Sequence, residues 1–228
     1  MEFLYLDKYY IILVVPMLIL SLIAQARIKS NYKKYAKVAN KKGLTGAMAA
    51  QQVLNYYGVN DVKIEGVSGE LTDHFDPRTK VIRLSDGVCN SATVSAVGIA
   101  CHEAGHAAQH AEGYTPIRIR NTILPVCNIG SKLGLPLAIL GYFLGWEPLI
   151  SIGLLLYALI VVFQLITLPV EFNASRRAIK VIDETCLLSK EENRGAKAVL
   201  RSAAMTYVAA AGVSFANLLR LFLRMRRR

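Results

Sequence analysis

The chain is short of acidic residues, of paired cysteines and of linker. Its four cysteines, Cys89, Cys101, Cys127 and Cys186, form no C-x-x-C pair. That argues against a disulfide framework and for free thiols, in a reducing compartment or in the membrane. No internal repeat or low-complexity linker stands out in the 228 residues, so the organisation must be read from apolar runs and motifs. Acid is scarce: 16 Asp and Glu stand against 27 Lys and Arg, a formal net charge of +11. Only 19% of residues are charged and 54% are hydrophobic, which is too apolar for an ordinary soluble domain and points to membrane segments. A basic chain can bind nucleic acid. Here the basic residues cluster beside apolar runs, the pattern of cytoplasmic membrane flanks, so no nucleic-acid partner is expected.

What the chain does have is His102-Glu103-Ala104-Gly105-His106, an H-E-x-x-H motif inside a run from Ser91 to Glu112 that reads as helix. Residues four apart on an α-helix lie nearly above one another, about 6 Å along the axis. Two imidazoles at that spacing can reach one metal ion from the same face, and Glu103 can lean over the open side. Zinc held by two His needs a third protein ligand and leaves a position for water, whose proton a nearby carboxylate can take. A solvated helix carrying two His and a Glu by accident is the bland alternative. The small and apolar neighbours Ala100, Cys101, Ala104, Gly105, Ala107 and Ala108 argue against it, because polar groups in such a face need a reason to be buried. Cys101 points about 100° away from His102 and reads as packing. His110 would lie about 12 Å along the axis from His102, too far to share one zinc.

Tyr9 to Ala26 is apolar almost throughout and, with Phe3 to Leu6, is long enough to span a bilayer. Pro16 would kink it, and Tyr5, Tyr9 and Tyr10 mark an interfacial belt. A cleaved signal peptide is disfavoured by the acidic lead of Glu2 and Asp7. Arg27, Lys29, Lys33, Lys34, Lys37, Lys41 and Lys42 follow directly, so this side is expected to be cytoplasmic and the N-terminus outside.

Between the span and the motif, Thr45 to Tyr57 reads as a helix capped by Thr45, with Gly58 as its stop. Val62 to Ile64 is strand-like. The stretch LTDHFDPRTKVIRLS reads as a hairpin turning at Asp76-Pro77-Arg78-Thr79. An edge strand there could pair with an extended peptide. Asp73 and His74 sit in this hairpin and read as surface loop in preference to site.

Leu133 to Trp146 and Leu149 to Val170 form a membrane hairpin around Glu147-Pro148, the first run beginning upstream and carrying Lys132 with it. Two crossings return the chain to the motif's face at Glu171, in LPVEFNASRRA. Glu171 is the carboxylate chosen as third ligand, although a helix-end Glu paired with Arg176 or Arg177 fits the spacing equally well. Glu112 and Asp183 also remain open. Ser189 to Glu192 resembles a capping box. Ala203 to Leu219 is expected to pack on the segment that carries the motif or lie along the membrane surface, with the tail Arg224 to Arg228 on anionic lipid.

These residues together resemble the YugP-like family of membrane neutral zinc metallopeptidases. The likeness runs nearly end to end, through LTDHFDP with KVIRLS, VGIACHEAGHAAQ, LPVEFNASRRA and AAMTYVAAA. More distantly the chain is similar to HtpX-like and CAAX-prenyl-type gluzincin proteases. The resemblance implies His102, His106 and Glu171 as zinc ligands and Glu103 as general base and acid. It departs from those relatives at Ser175, where they carry an Asp four residues after the ligand Glu that can orient a His. Asn173 or Ser175 is left to fill that part.

The expected fold is therefore a mainly α membrane protein. An N-terminal anchor (1–26) precedes a cytoplasmic zincin-like α+β segment with a small sheet and the motif helix (27–121). A transmembrane helical hairpin (122–170) and a C-terminal helical segment (171–228) follow. The expected function is a zinc-dependent endopeptidase of a bacterial-type plasma membrane, its active site on the cytoplasmic side. Its partners are a peptide or protein substrate, membrane proteins included, and membrane lipids. A non-catalytic zinc-binding membrane scaffold or chaperone is the alternative.

Overall fold

A computed structural model describes residues 7–225. Glu2, Phe3, Tyr5 and Leu6 of the anchor reading, and Arg226 to Arg228 of the basic tail, lie outside the described residues. The protein is mainly α, with seven helices and one three-stranded sheet among the described residues. The chain divides into two compact units. One comprises Met1–Ala24, Arg118–Leu168 and Thr206–Arg228; the other comprises Gln25–Ile117 and Pro169–Met205.

The first unit is built from apolar helix. A π-helical turn, Tyr10–Val14, leads into α1, Val15–Tyr35. Asp7 starts the run, its Oδ1 accepting from the Tyr10 amide at 2.8 Å. Helices α5, Thr115–Leu144, and α6, Glu147–Glu184, are joined at Gly145, whose φ of +65° closes α5. The Trp146 amide then reaches back to the Gly141 carbonyl at 2.9 Å. A methyl group on Gly153 of α6 would collide with the Ala138 backbone of α5, so the two helices meet backbone to backbone. Ile12, Leu22, Phe143, Leu144 and Leu155 are exposed, an apolar surface that bilayer lipid would cover.

The last helix is helical as the sequence reading has it, and it adds a candidate span. Helix α7, Lys190–Met225, runs unbroken, and its described stretch Lys190–Arg224 is long and apolar enough to cross a membrane, by length and composition. Four helices meet that criterion, where the sequence reading had three spans. The sequence reading disfavours a fourth crossing because it would set the basic tail Arg224 to Arg228 outside, against the charge rule. In the fold Arg220 and Arg224 are not free: Asp7 Oδ2 takes Arg220 Nη2 at 2.9 Å and Arg224 Nη1 at 3.1 Å. The Arg220 guanidinium also lies 4.9 Å over the Tyr10 ring.

The second unit packs around one buried cluster. Helix α2, Gly46–Tyr56, begins at Thr45, whose hydroxyl accepts from the Met48 amide at 3.3 Å. Strands β1, Lys63–Val67, β2, His74–Asp76, and β3, Val81–Ser85, form a sheet of order β1-β3-β2. The hairpin is as read: β2 pairs antiparallel with β3, Phe75 opposite Ile82. In its turn Asp76 accepts from the Arg78 amide at 2.9 Å and the Thr79 hydroxyl at 2.8 Å. The parallel pairing of β1 with β3 was not read. Neither was the short helix α3, Asp86–Cys89. Asp73 holds the start of α3, accepting from the Ser85 amide at 2.8 Å.

Helix α4, Val94–Ala111, carries the motif and is capped by Thr93. It stops at Gly113, with φ of +66°, where the Gly113 and Tyr114 amides close onto His110 and Gln109. Leu54, Ile82, Leu84, Val88, Val97, Ala104, Val181 and Ala196 belong to the buried cluster, which joins α2, β3, α3 and α4 to the ends of α6 and α7 lying in this unit. Alanine recurs along these faces and lets the helices approach closely. The start of α7 is a reciprocal cap: Glu192 takes the Ser189 amide at 2.7 Å and its own amide reaches Ser189 Oγ at 3.3 Å.

Candidate metal centre

Three residues from two helices converge. His102 and His106 stand one turn apart on α4, their rings edge to face at 4.7 Å between centroids. Glu171 comes from the part of α6 that follows Pro169. What brings α6 in is a small residue at the motif's centre: Gly105 packs directly on the Ala174 backbone. Glu171 Oε2 then lies 3.3 Å from His102 Nε2 and 3.6 Å from His106 Nε2. One donor atom from each residue lies within 4.8 Å of the other two. Glu103 sits beside His102, partly buried.

The chemistry of this trio suits a metal ion. Glu171 is 4% exposed, and its Oε2 is buried and takes no hydrogen bond. An orphaned carboxylate oxygen of that kind is costly unless something positive meets it. Zinc bonds of about 2.0–2.2 Å in tetrahedral array put ligand atoms roughly 3.3–3.6 Å apart, the range of the two His–Glu171 separations. Burial of His106 works against charging it, but the Glu171 carboxylate and the charge of Glu103 outweigh that and hold its pKa above the ordinary imidazole value.

The outer nitrogens of both rings are occupied. His102 Nδ1 lies 3.1 Å from Ser175 Oγ. Ser175 thus stands where more distant relatives were expected to carry Asp, and it does contact a ring. His106 Nδ1 lies 3.0 Å from Gln109 Oε1. Gln109 donates onward to the Val170 carbonyl at 2.8 Å and to Asn173 Oδ1 at 2.9 Å. Asn173 Oδ1 also accepts from Arg177 Nε at 2.8 Å, and Arg177 Nη2 pairs with Glu112 Oε2 at 2.7 Å. That pairing holds the Glu112 carboxyl below its ordinary value.

The open alternatives fall elsewhere. Glu112 belongs to Arg177, and Asp183 bonds Asn193 and Lys197. Arg177 is accordingly no partner of Glu171. His110 stacks near Phe75 at 5.9 Å, away from the trio. His74 is exposed, with Nδ1 2.8 Å from the Thr72 carbonyl. Cys101 is fully buried, its thiol 3.8 Å from the Ala49 carbonyl and raised in pKa by burial. Gln109 is the residue sequence reasoning missed. It follows His106 by three positions on the same helical face, which was the available signal.

Residues 10–226 match a family described as "Putative neutral zinc metallopeptidase". A curated relative from Bacillus subtilis, named "Putative membrane protease YugP", is 46% identical over 211 residues, covering 92% of this chain and 94% of the relative. No solved structure matches the chain.

Proposed function

The chain belongs to the neutral zinc metallopeptidase family, and from that premise we propose that it is a membrane-bound, zinc-dependent endopeptidase. The observation that carries this reading is the convergence of His102, His106 and Glu171 around a buried carboxylate oxygen without a donor. Those three residues would hold the zinc. When bound, the ion would supply Lewis acidity, lowering the pKa of water and polarising a peptide carbonyl. Glu103 takes the proton of the attacking water and returns it to the leaving amine, so that water is divided between the two product termini. Ser175 and Gln109 hold the ligand rings from behind.

The substrate is an extended peptide, from an unfolded chain or a membrane protein. Support comes from β2, an outer strand of the sheet that packs against α4. Backbone pairing along such a strand tolerates varied side chains. The seven basic residues from Arg27 to Lys42 support a plasma-membrane protein with its active site on the cytoplasmic side.

The test is Glu103→Gln in detergent-solubilised protein, against an unstructured fluorogenic peptide. Cleavage should vanish while one zinc per chain remains. Unchanged cleavage would remove Glu103 from the reaction. A function unaffected by the substitution, in a protein that cleaves nothing, would favour a zinc-binding scaffold.

A further inference from the structure

A neutral histidine carries one ring proton, on either nitrogen. A ring that offers Nε2 to a metal must keep that proton on Nδ1, and something must favour the arrangement. The two histidines here differ in what faces Nδ1.

Facing His106 is Gln109, which is fully buried. A glutamine amide can sit either way round, oxygen and nitrogen exchanged. This one is held by two neighbours that admit a single answer. The Val170 carbonyl can only accept, and it lies 2.8 Å from Gln109 Nε2. The Arg177 guanidinium can only donate, so the atom of Asn173 it meets at 2.8 Å is the oxygen. That same oxygen lies 2.9 Å from Gln109 Nε2 and needs a donor there. Both neighbours therefore turn the Gln109 nitrogen away from His106 and its oxygen toward Nδ1, 3.0 Å away. An oxygen at that point accepts only from an Nδ1–H. Arg177 is itself pinned, by Glu112 at 2.7 Å and by the Tyr57 ring 5.2 Å away.

Facing His102 is Ser175 Oγ at 3.1 Å, a hydroxyl that donates or accepts equally well. It imposes no tautomer.

We propose that Gln109 presets His106 in the Nδ1–H tautomer before any metal arrives, its amide locked by Val170 and, through Asn173, by Arg177, while His102 stays free to adjust. One ligand of the pair is ready-made and the other adapts. Gln109 is thus a positioning residue acting through His106. The proposal rests on the metallopeptidase reading for its purpose, but the tautomer exists without metal and is measured without it.

The experiment uses the full chain in detergent micelles, labelled with 15N-histidine and stripped of metal by chelator. At a pH about two units above the ordinary imidazole value of roughly 6.5, the 15N shifts report the tautomer. Four histidines make the assignment tractable with single His→Gln variants. His106 should show a single Nδ1–H form, and His102, whose Nε2 lies 3.3 Å from the Glu171 carboxylate, a mixture weighted toward Nε2–H. A mixed or Nε2–H form of His106 overturns the proposal. Gln109→Met removes the acceptor and should turn His106 into a mixture. It should also weaken zinc binding about 10–100-fold in chelator competition. Gln109→Glu keeps an acceptor and should keep the tautomer. A purely structural role for Gln109 would shift unfolding in both variants and leave the tautomer alone. If Gln109→Met does not fold, the wild-type spectrum alone decides. A wild type that binds no zinc would overturn the metallopeptidase reading and leave the tautomer assignment standing.

Discussion

A methyl group on Gly105 would lie 2.7 Å from the carbonyl oxygen of Ala174. The middle of the motif is therefore also the crossing point that delivers Glu171. Gly105→Ala sets two effects against each other. Helix propensity favours Ala by about 1 kcal/mol. Overpacking against backbone, which cannot swing aside as a side chain can, costs about 1–3 kcal/mol. Overpacking should win. The variant should melt at a lower temperature by circular dichroism and carry less zinc per chain by mass spectrometry. A stabilised variant with full zinc would show that the crossing tolerates separation.

Removing either a helix α4 ligand or the α6 carboxylate should empty the site. Wild-type protein should carry one zinc per chain, and His106→Ala and Glu171→Ala should each lose it. Glu171→Gln keeps the shape without the charge and separates metal loss from misfolding, because the fold should persist by circular dichroism. Zinc retained without Glu171 would place the third ligand elsewhere.

Ser175 offers a graded test of the ring it touches. Ser175→Ala leaves His102 Nδ1 with no partner and should weaken zinc binding by about tenfold. Ser175→Asp supplies a charged acceptor at the same place and should restore or tighten it. Chelator competition reads both. Equal affinity in all three proteins would mean the 3.1 Å contact orients nothing.

The site's proton linkage has a definite sign. In the metal-free fold the pKa of His106 is raised above its ordinary value. Protonation therefore adds stability that is present in full below about pH 6.5 and is lost as pH climbs through the folded value. A metal must displace that proton. Zinc affinity should fall as pH drops through this window, with protons released on binding in unbuffered calorimetry. Affinity flat between about pH 5.5 and 8 would contradict the linkage.

Thiol chemistry should divide the cysteines by burial. Cys186 is exposed, whereas Cys101 is buried beside the motif with its thiol pKa pushed up. Iodoacetamide mapping on the folded protein should label Cys186 promptly and Cys101 only after denaturation. Early loss of Cys101 would mean that α4 opens locally.

The motif was legible because its chemistry is local. Two His four apart need nothing but a helix, and the same spacing correctly set His110 aside. The caps at Thr45 and Ser189 were legible for the same reason, since each is closed by a residue three positions on. Gln109 was not legible: its partners, Val170 and Asn173, lie 61 and 64 residues downstream, and only the crossing at Gly105 brings them together. Glu171 stood between. Its position after the membrane hairpin was readable, but its freedom from Arg177 depended on Glu112 taking that guanidinium first. The partner that meets the arginines of α7 was no more legible. The charge rule counts arginines one by one, and nothing local announces that Asp7 meets residues 213 and 217 positions away.

That last pairing has a consequence in parity. Asp7 opens the first apolar helix and Arg220 and Arg224 lie in the last turns of α7, so within this unit these helix ends meet. A chain that threads a membrane an odd number of times parts its ends between two compartments. One that threads it an even number of times returns them to the same one. With all four candidate helices crossing, reporter domains fused at the two termini should answer to a single compartment, and a protease added to that side alone should reach both.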